Sequence, residues 1–168
     1  SSYFHNSISG YHAAKPKRMQ DLYDFYLSKR KLNVLNMLNV KYTVDLDENS
    51  SLSLKVNEEN LGNAWFVESL VNVENSNQEI LMLDQLDYSK TCLSTMLESK
   101  KYEYNSNNNI ELISRKSNEL IYEYNSSNDN FVVFSEAFYS KGWESYIGDI
   151  KVNHNKVNYL LRGMEVPK

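Results

Sequence analysis

Hydrophobic residues change their period along this chain. Over residues 13–31, Met19, Leu22, Tyr23, Tyr26 and Leu27 recur at helical spacing, with Lys17, Arg18, Asp21, Asp24 and Lys29 mostly on the other side. Pro16 suits a first helical turn. Leu32, Val34, Leu35, Met37 and Leu38 keep the helical period until Val40, where Lys41-Tyr42-Thr43-Val44 turns β-branched and aromatic. The pattern predicts helix, helix, then a short strand. In the polar stretch 45–60, Leu52, Leu54 and Val56 alternate with polar residues, which predicts an exposed hairpin arm. Gly62 marks a turn before residues 64–71, read as one continuous strand. Ser76-Asn77-Gln78-Glu79 reads as a capping box opening a short helix near residues 76–86, and residues 91–97 read as another strand.

Beyond the polar loop 104–109 the period becomes two. Ile110 and Leu112 alternate with Glu111 and Ile113, and Leu120, Tyr122 and Tyr124 alternate with Ile121 and Glu123. Residues 131–134 are apolar on both faces, as a central strand requires. The stretch 134–166 then holds three apolar-rich segments separated by Gly142, Gly148-Asp149 and residues 153–155, the writing of antiparallel strands joined by tight turns. The fold class expected is α+β, with N-terminal helical segments packed on a mainly antiparallel, jelly-roll-like β-sandwich. One soluble domain is expected: a mainly helical lobe with a short hairpin over residues 1–60, and the sandwich with one short helix over 61–168.

Length and charge narrow the picture. With 168 residues the chain can bury one sizeable core. Its 18 basic and 22 acidic residues give a net charge of −4, which offers no field for a phosphate backbone, so nucleic acid is not an expected partner. Cys92 stands alone, which rules out an intramolecular disulfide and suggests a buried structural thiol. No apolar run reaches the roughly 20 residues of a membrane helix, and no signal-like leader is present. The abrupt start at Ser1 and stop at Lys168 suggest a domain cut from something longer.

Candidate chemistry is sparse. His5, His12 and His154 lack the spacing of a zinc site, and neither metal nor cofactor is expected. Asp45-Leu46-Asp47-Glu48-Asn49 imitates the start of a calcium loop, but Ser50 stands where glycine is needed and Val56 where glutamate is needed. A G-x-S-x-G motif and a glycine-rich phosphate loop are both lacking. Carboxylates such as Glu136 and Glu144, if they face each other across a sheet, would resemble a glycosidase pair. Tyr139, Trp143, Tyr146 and Tyr159 have the apolar faces and polar tips of a sugar-stacking platform, with Arg162 to bond hydroxyls or carboxylates. The alternative for these five residues is packing within and at the rim of the sandwich.

A family resemblance adds to this. Tyr3-Phe4-His5 with residues 10–15, Asn33-Val34-Leu35-Asn36-Met37-Leu38-Asn39-Val40-Lys41-Tyr42, and Leu61-Gly62-Asn63-Ala64-Trp65-Phe66-Val67 come first. Ser135-Glu136-Ala137-Phe138-Tyr139, Gly142-Trp143 and Val157-Asn158-Tyr159-Leu160-Leu161-Arg162-Gly163 follow. In this order the blocks resemble motifs of the YfhO-like bacterial membrane proteins, which are similar to GT-C glycosyltransferases. The resemblance implies a C-terminal, extracytoplasmic accessory domain tethered to membrane-spanning segments outside this sequence. Its implied partners are the membrane-embedded remainder of the polypeptide and a cell-envelope glycan or lipid-linked sugar acceptor. The family's catalytic positions lie among the membrane helices, so no catalytic residue carries over. Two departures stand out: Ser140-Lys141 replaces a proline before Gly142-Trp143, and Gly148-Asp149 replaces an Asp-Gly turn, which favours a II′ hairpin.

Overall fold

The computed structural model describes residues 7–8, 16–46 and 50–168. His5, His12, the first block of the family-like motifs and Asp47-Glu48-Asn49 lie outside these residues. Among the described residues the first elements are α1 (Lys17–Phe25), a 3-10 turn (Leu27–Lys29) and α2 (Leu32–Met37). The break between the helices follows from Arg30, which sits in the left-handed region at φ 53 and ends the first helical run. β1 (Tyr42–Leu46) and β2 (Leu52–Val56) then pair as the antiparallel arm that the alternation predicts.

The expected single strand over 64–71 is two strands. β3 (Ala64–Val67) and β4 (Ser69–Asn72) belong to different sheets, because the chain bends at Glu68, where the N–H groups of both Glu68 and Ser69 donate to the Lys90 carbonyl. A local bend of this kind lets one run of apolar residues feed two sheets. After β4 come α3 (Ser76–Met82) and β5 (Thr91–Ser94), which is shorter than expected and runs parallel to β4. The short β6 (Lys100–Lys101) pairs with β4 on its other side.

The second half is all-β, as its period-two patterning predicts. β7 (Asn109–Lys116) and β8 (Glu119–Asn125) form a hairpin with a bulge at Ile113, and β9 (Asn130–Ala137) follows. β10 (Ser145–Ile147) and β11 (Ile150–Val152) form a second hairpin, and β12 (Asn155–Val157) and β13 (Leu161–Val166) complete the fold. At the tight turn of the second hairpin Gly148 is left-handed, at φ 56, and Asp149 is not, which is the II′ pattern. The strands therefore make several small, mainly antiparallel sheets, the largest in the order β12-β13-β9-β3. With three short helices the fold is α+β.

The four-stranded sheet is covered on both faces. On one, Trp65, Val67, Phe131, Val133 and Leu161 join Leu22, Val34 and Met37 of the helices and Leu70, Ile80 and Leu93 of the β4–α3–β5 segment. On the other, Val132, Met164 and Val166 meet Ile110 and Tyr124 of the β7–β8 hairpin and Ile147 and Val152 of β10–β11. Alternation along β9 sends successive residues to opposite faces, so its unbroken apolar run loses solvent on both. Each such side chain contributes about 1.5–3 kcal/mol by burial.

α3 starts one residue earlier than its sequence suggests. Asn75 is the N-cap: its side-chain oxygen accepts from Asn77 N and Gln78 N, both at 3.0 Å, and Gln78 Oε1 accepts from Glu74 N at 2.8 Å. This shift gives the back-bonding role to Gln78 and releases Glu79 from the surface. Asn75→Ala is expected to cost about 1 kcal/mol, lowering Tm by about 2–4 °C, with Asn75→Ser recovering most of it. A thermal melt followed by circular dichroism checks this.

Candidate functional site

Residues 138–144, the connection after β9, carry Trp143 to the outer end of the four-stranded sheet. Arg162 leaves β13 at a bulge between Leu161 and Arg162, and its guanidinium carbon lies 4.4 Å from the centre of the half-buried Trp143 ring. This is a cation–π stack in which the cation is the hidden partner: Arg162 is only 6% exposed. Burial holds its guanidinium below the usual arginine range, while the nearby Glu136 carboxylate pulls it upward. Neither Arg162 Nε nor the Tyr122 hydroxyl has a hydrogen-bond partner, and both atoms are buried. Tyr122 packs edge-on to Phe134, with ring centres 4.9 Å apart, and burial pushes its hydroxyl up to about 12.

Outside the stack lies an open depression of about 360 Å³ lined by Arg115, Lys116, Ser117, Leu120, Glu136 and Trp143. Arg115 Nη2 lies 2.5 Å from Glu136 Oε1, and Lys116 Nζ lies 2.7 Å from Glu119 Oε2. The β7–β8 turn thus supplies the cations, β9 the carboxylate, and the 138–144 connection the aromatic wall. Such a surface offers one apolar ring edge and several donors and acceptors to a small polar ligand.

The other candidate aromatics divide between this region and elsewhere. Tyr139 is exposed beside Trp143, and its ring occupies the space a side chain at residue 142 would need, within 2.3 Å of an added Cβ, which accounts for glycine there. Tyr146, also exposed, stands on β10 and donates to Glu144 Oε2 at 2.8 Å. Tyr159 is not part of this surface. It is 7% exposed and turned toward α1, donating through its hydroxyl to Asp21 Oδ2 at 2.6 Å. Arg162, being buried, backs the Trp143 ring and presents no face to solvent.

Glu136 and Glu144 each have a cation of their own. Glu136 is held by Arg115, and Glu144 is exposed and held by Lys151 Nζ and the Tyr146 hydroxyl, which keep its carboxyl below the usual range. A general acid needs the opposite shift. Among the described residues no group of three His, Cys, Asp or Glu side chains is placed to hold a metal ion. His154 bonds Ser145 Oγ through Nδ1 at 2.9 Å and meets the edge of Phe138, and burial lowers its pKa. Cys92 is fully buried, and burial pushes its thiol up, so it is inert in the folded protein.

A second polar cluster has no counterpart in the sequence reading. Glu79, fully buried in α3, accepts from Tyr159 N at 2.8 Å through Oε1, and its Oε2 is 3.7 Å from Arg18 Nη1. Arg18 also donates to the Tyr159 carbonyl and to Ser76 Oγ, both at 2.9 Å, and lies 4.3 Å over the Tyr159 ring. Tyr159 and Asn158 are consecutive left-handed residues, at φ 69 and 48. Asn158 holds that shape by exchanging two bonds with Leu93: its N–H donates to the Leu93 carbonyl at 2.9 Å and its Oδ1 accepts from Leu93 N at 2.8 Å. The signal for this cluster is the N-cap: once Asn75 caps α3, Glu79 turns inward. Glu79 is sealed from solvent while Arg18 reaches the surface, and every bond in the cluster joins one element of the fold to another.

The chain matches no protein-family model, no curated protein and no solved structure. The resemblance to YfhO-like proteins therefore stands on the quoted residues.

Proposed function

We propose that this chain is a non-catalytic, extracytoplasmic accessory domain of a multi-spanning membrane protein of YfhO-like type, and that it positions a cell-envelope glycan at the Trp143 depression. The observation that carries the binding part is the stack of Trp143 on buried Arg162 beside a polar rim. A ring fixed from behind presents its free surface without losing side-chain entropy on binding, and sugar C–H groups cover such a surface while their hydroxyls bond the rim. Arg115, Lys116, Ser117 and Glu136 provide that rim, and exposed Tyr139 and Tyr146 extend the aromatic surface nearby. The accessory role is supported by the family-like motifs and by two carboxylates committed to their own cations. The layering of small antiparallel sheets supports the jelly-roll-like form of the sandwich.

Titration of the domain with cell-envelope oligosaccharides, read by tryptophan fluorescence and calorimetry, tests the reading. Saturable binding is expected, weakened about tenfold to a hundredfold by Trp143→Ala and less by Trp143→Phe, which keeps a ring over Arg162. Absence of saturable binding across neutral, acidic and amino-sugar oligomers, or equal binding by Trp143→Ala, overturns it. Protease accessibility of the domain in spheroplasts of a producing strain tests the membrane side: protection of the domain from added protease counts against an extracytoplasmic location.

A further inference from the structure

The β1–β2 arm is built inside out. Its register pairs Tyr42 with Val56, Val44 with Leu54 and Leu46 with Leu52, so all six apolar side chains share one face. They are 55–78% exposed, whereas on the opposite face Thr43, Asp45 and Ser53 are partly covered and only Lys55 is exposed. An antiparallel sheet with one wet face normally hides its apolar side. Here the polar side is fixed to the body instead: Asp45 is gripped by Arg30, just after the 3-10 turn, and also pairs within the arm with Lys55 at 3.2 Å. The Asn57 side-chain amide bonds the Val40 carbonyl and Asn36 Oδ1, both at 2.8 Å. These anchors hold the apolar face away from the domain, and among the described residues neither outer edge of the arm is paired.

We infer that this face is a self-association surface, and that its occupant is the same face of a second copy of this chain. At the observed exposures, six side chains offer about 100 Å² each, on the order of 600 Å² of contiguous apolar surface, which exceeds the few hundred Å² a monomer ordinarily exposes. Two copies packed face to face bury on the order of 1,200 Å², the lower bound of a specific interface. Among the described residues the face carries no charged side chain, so its six paired residues bring no like charges into contact between two chains of net charge −4. A two-fold axis brings the same patch of both copies together, so one apolar face supplies both halves of the interface. An anionic bilayer is the poorer occupant, since no Lys or Arg joins the apolar face and the whole chain is negative.

Sedimentation equilibrium across a concentration series tests the inference. A monomer–dimer equilibrium in the micromolar range is expected, and Leu54→Asp is expected to raise its dissociation constant about a hundredfold, while Ser53→Asp on the opposite face leaves it unchanged. Should Leu54→Asp disturb the arm, cross-linking decides: under mild oxidation Leu54→Cys gives a disulfide-linked dimer and Ser53→Cys does not, Cys92 being buried and silent. A protein that stays monomeric throughout overturns the inference, as does a dimer indifferent to Leu54→Asp or equal cross-linking from both cysteines. A monomer that sediments with phosphatidylcholine–phosphatidylglycerol vesicles also overturns it and makes lipid the occupant.

Discussion

Replacing Glu79 with alanine is expected to destabilise the protein by about 2–4 kcal/mol, a fall in Tm of about 5–15 °C for a chain of this size. Three losses combine. The Tyr159 N–H loses its acceptor, Arg18 loses its anionic neighbour, and the fully buried side chain leaves a cavity. Arg18 is one-third exposed and regains water, which keeps the cost below that of stranding a fully buried cation. Glu79→Gln, which retains an acceptor for Tyr159, is expected to cost much less. Equal losses for the two variants would show that the carboxylate's shape and bonding contribute little.

The same pair of proteins yields a pH dependence. Burial holds the Glu79 carboxyl above the usual carboxylate range, against the pull of the Tyr159 N–H, Lys156 and Arg18. The native state therefore binds this proton more tightly than the unfolded chain. The group's contribution is present in full below the unfolded pKa and is lost as pH rises through the folded one. Glu79→Gln removes that dependence, so the stability difference moves in the variant's favour between acid and neutral pH. Asp45, Glu144 and Glu165 are held low by bonds from Arg30, Lys151 and Lys100, and their effect on acidification is opposite in sign. They are common to both proteins and cancel in the difference. Denaturant melts from pH 4 to pH 8, on the order of the carboxylate-to-neutral range, measure it; parallel curves would count against a raised Glu79 pKa.

The largest effect is expected at Phe131. It is the bulkiest of the fully buried side chains and packs against Gly163 and the Tyr102 ring, whose centre is 5.9 Å away. Phe131→Ala should cost about 3–5 kcal/mol, from lost burial and the cavity left in the middle of the four-stranded sheet. Its neighbour sets up a second, coupled test. A Cβ added at Gly163 would lie 2.5 Å from the Phe131 ring and 3.1 Å from the Val132 carbonyl oxygen, so Gly163→Ala should cost about 1–3 kcal/mol by overpacking. In a Phe131→Leu background that cost should shrink, because the clash is chiefly with the ring. Additive losses in the double variant would place the strain in the backbone instead.

The parts of the fold legible in the sequence are those where period alone decides. β9 shows no polar alternation because both of its faces are covered, and the β1–β2 arm alternates because one of its faces is not. The split of residues 64–71 was illegible for the same reason: Trp65, Val67 and Leu70 are all buried, so their pattern is indifferent to a bend at Glu68 made by two N–H groups sharing one carbonyl. The parallel pairing of β4 with β5 depends on the path of the chain through α3, which no short window records. At the candidate site, aromatic density singled out Tyr139 and Trp143 of the 138–144 connection and Tyr146 of β10, all at one end of the chain's second half. It could not tell Tyr159 apart, because the direction of this left-handed residue is set through its neighbour Asn158 by Leu93, far away in sequence. Nor could it foresee that Arg162 would be covered by the ring it supports.

The Arg18–Tyr159 contact spans 141 positions of the chain, and the bond from Tyr159 to Asp21 spans 138. During synthesis from the N-terminus, α1 emerges long before the strand connection that will hold its polar face. Closing so long a loop is entropically costly and slow relative to local helix and hairpin formation. The helix is therefore an early product that can meet Ser76 and Glu79 of α3 midway through synthesis, while its bonds to Tyr159 wait until nearly all of the domain has left the ribosome. Completion of the fold is thereby tied to completion of the β12–β13 connection.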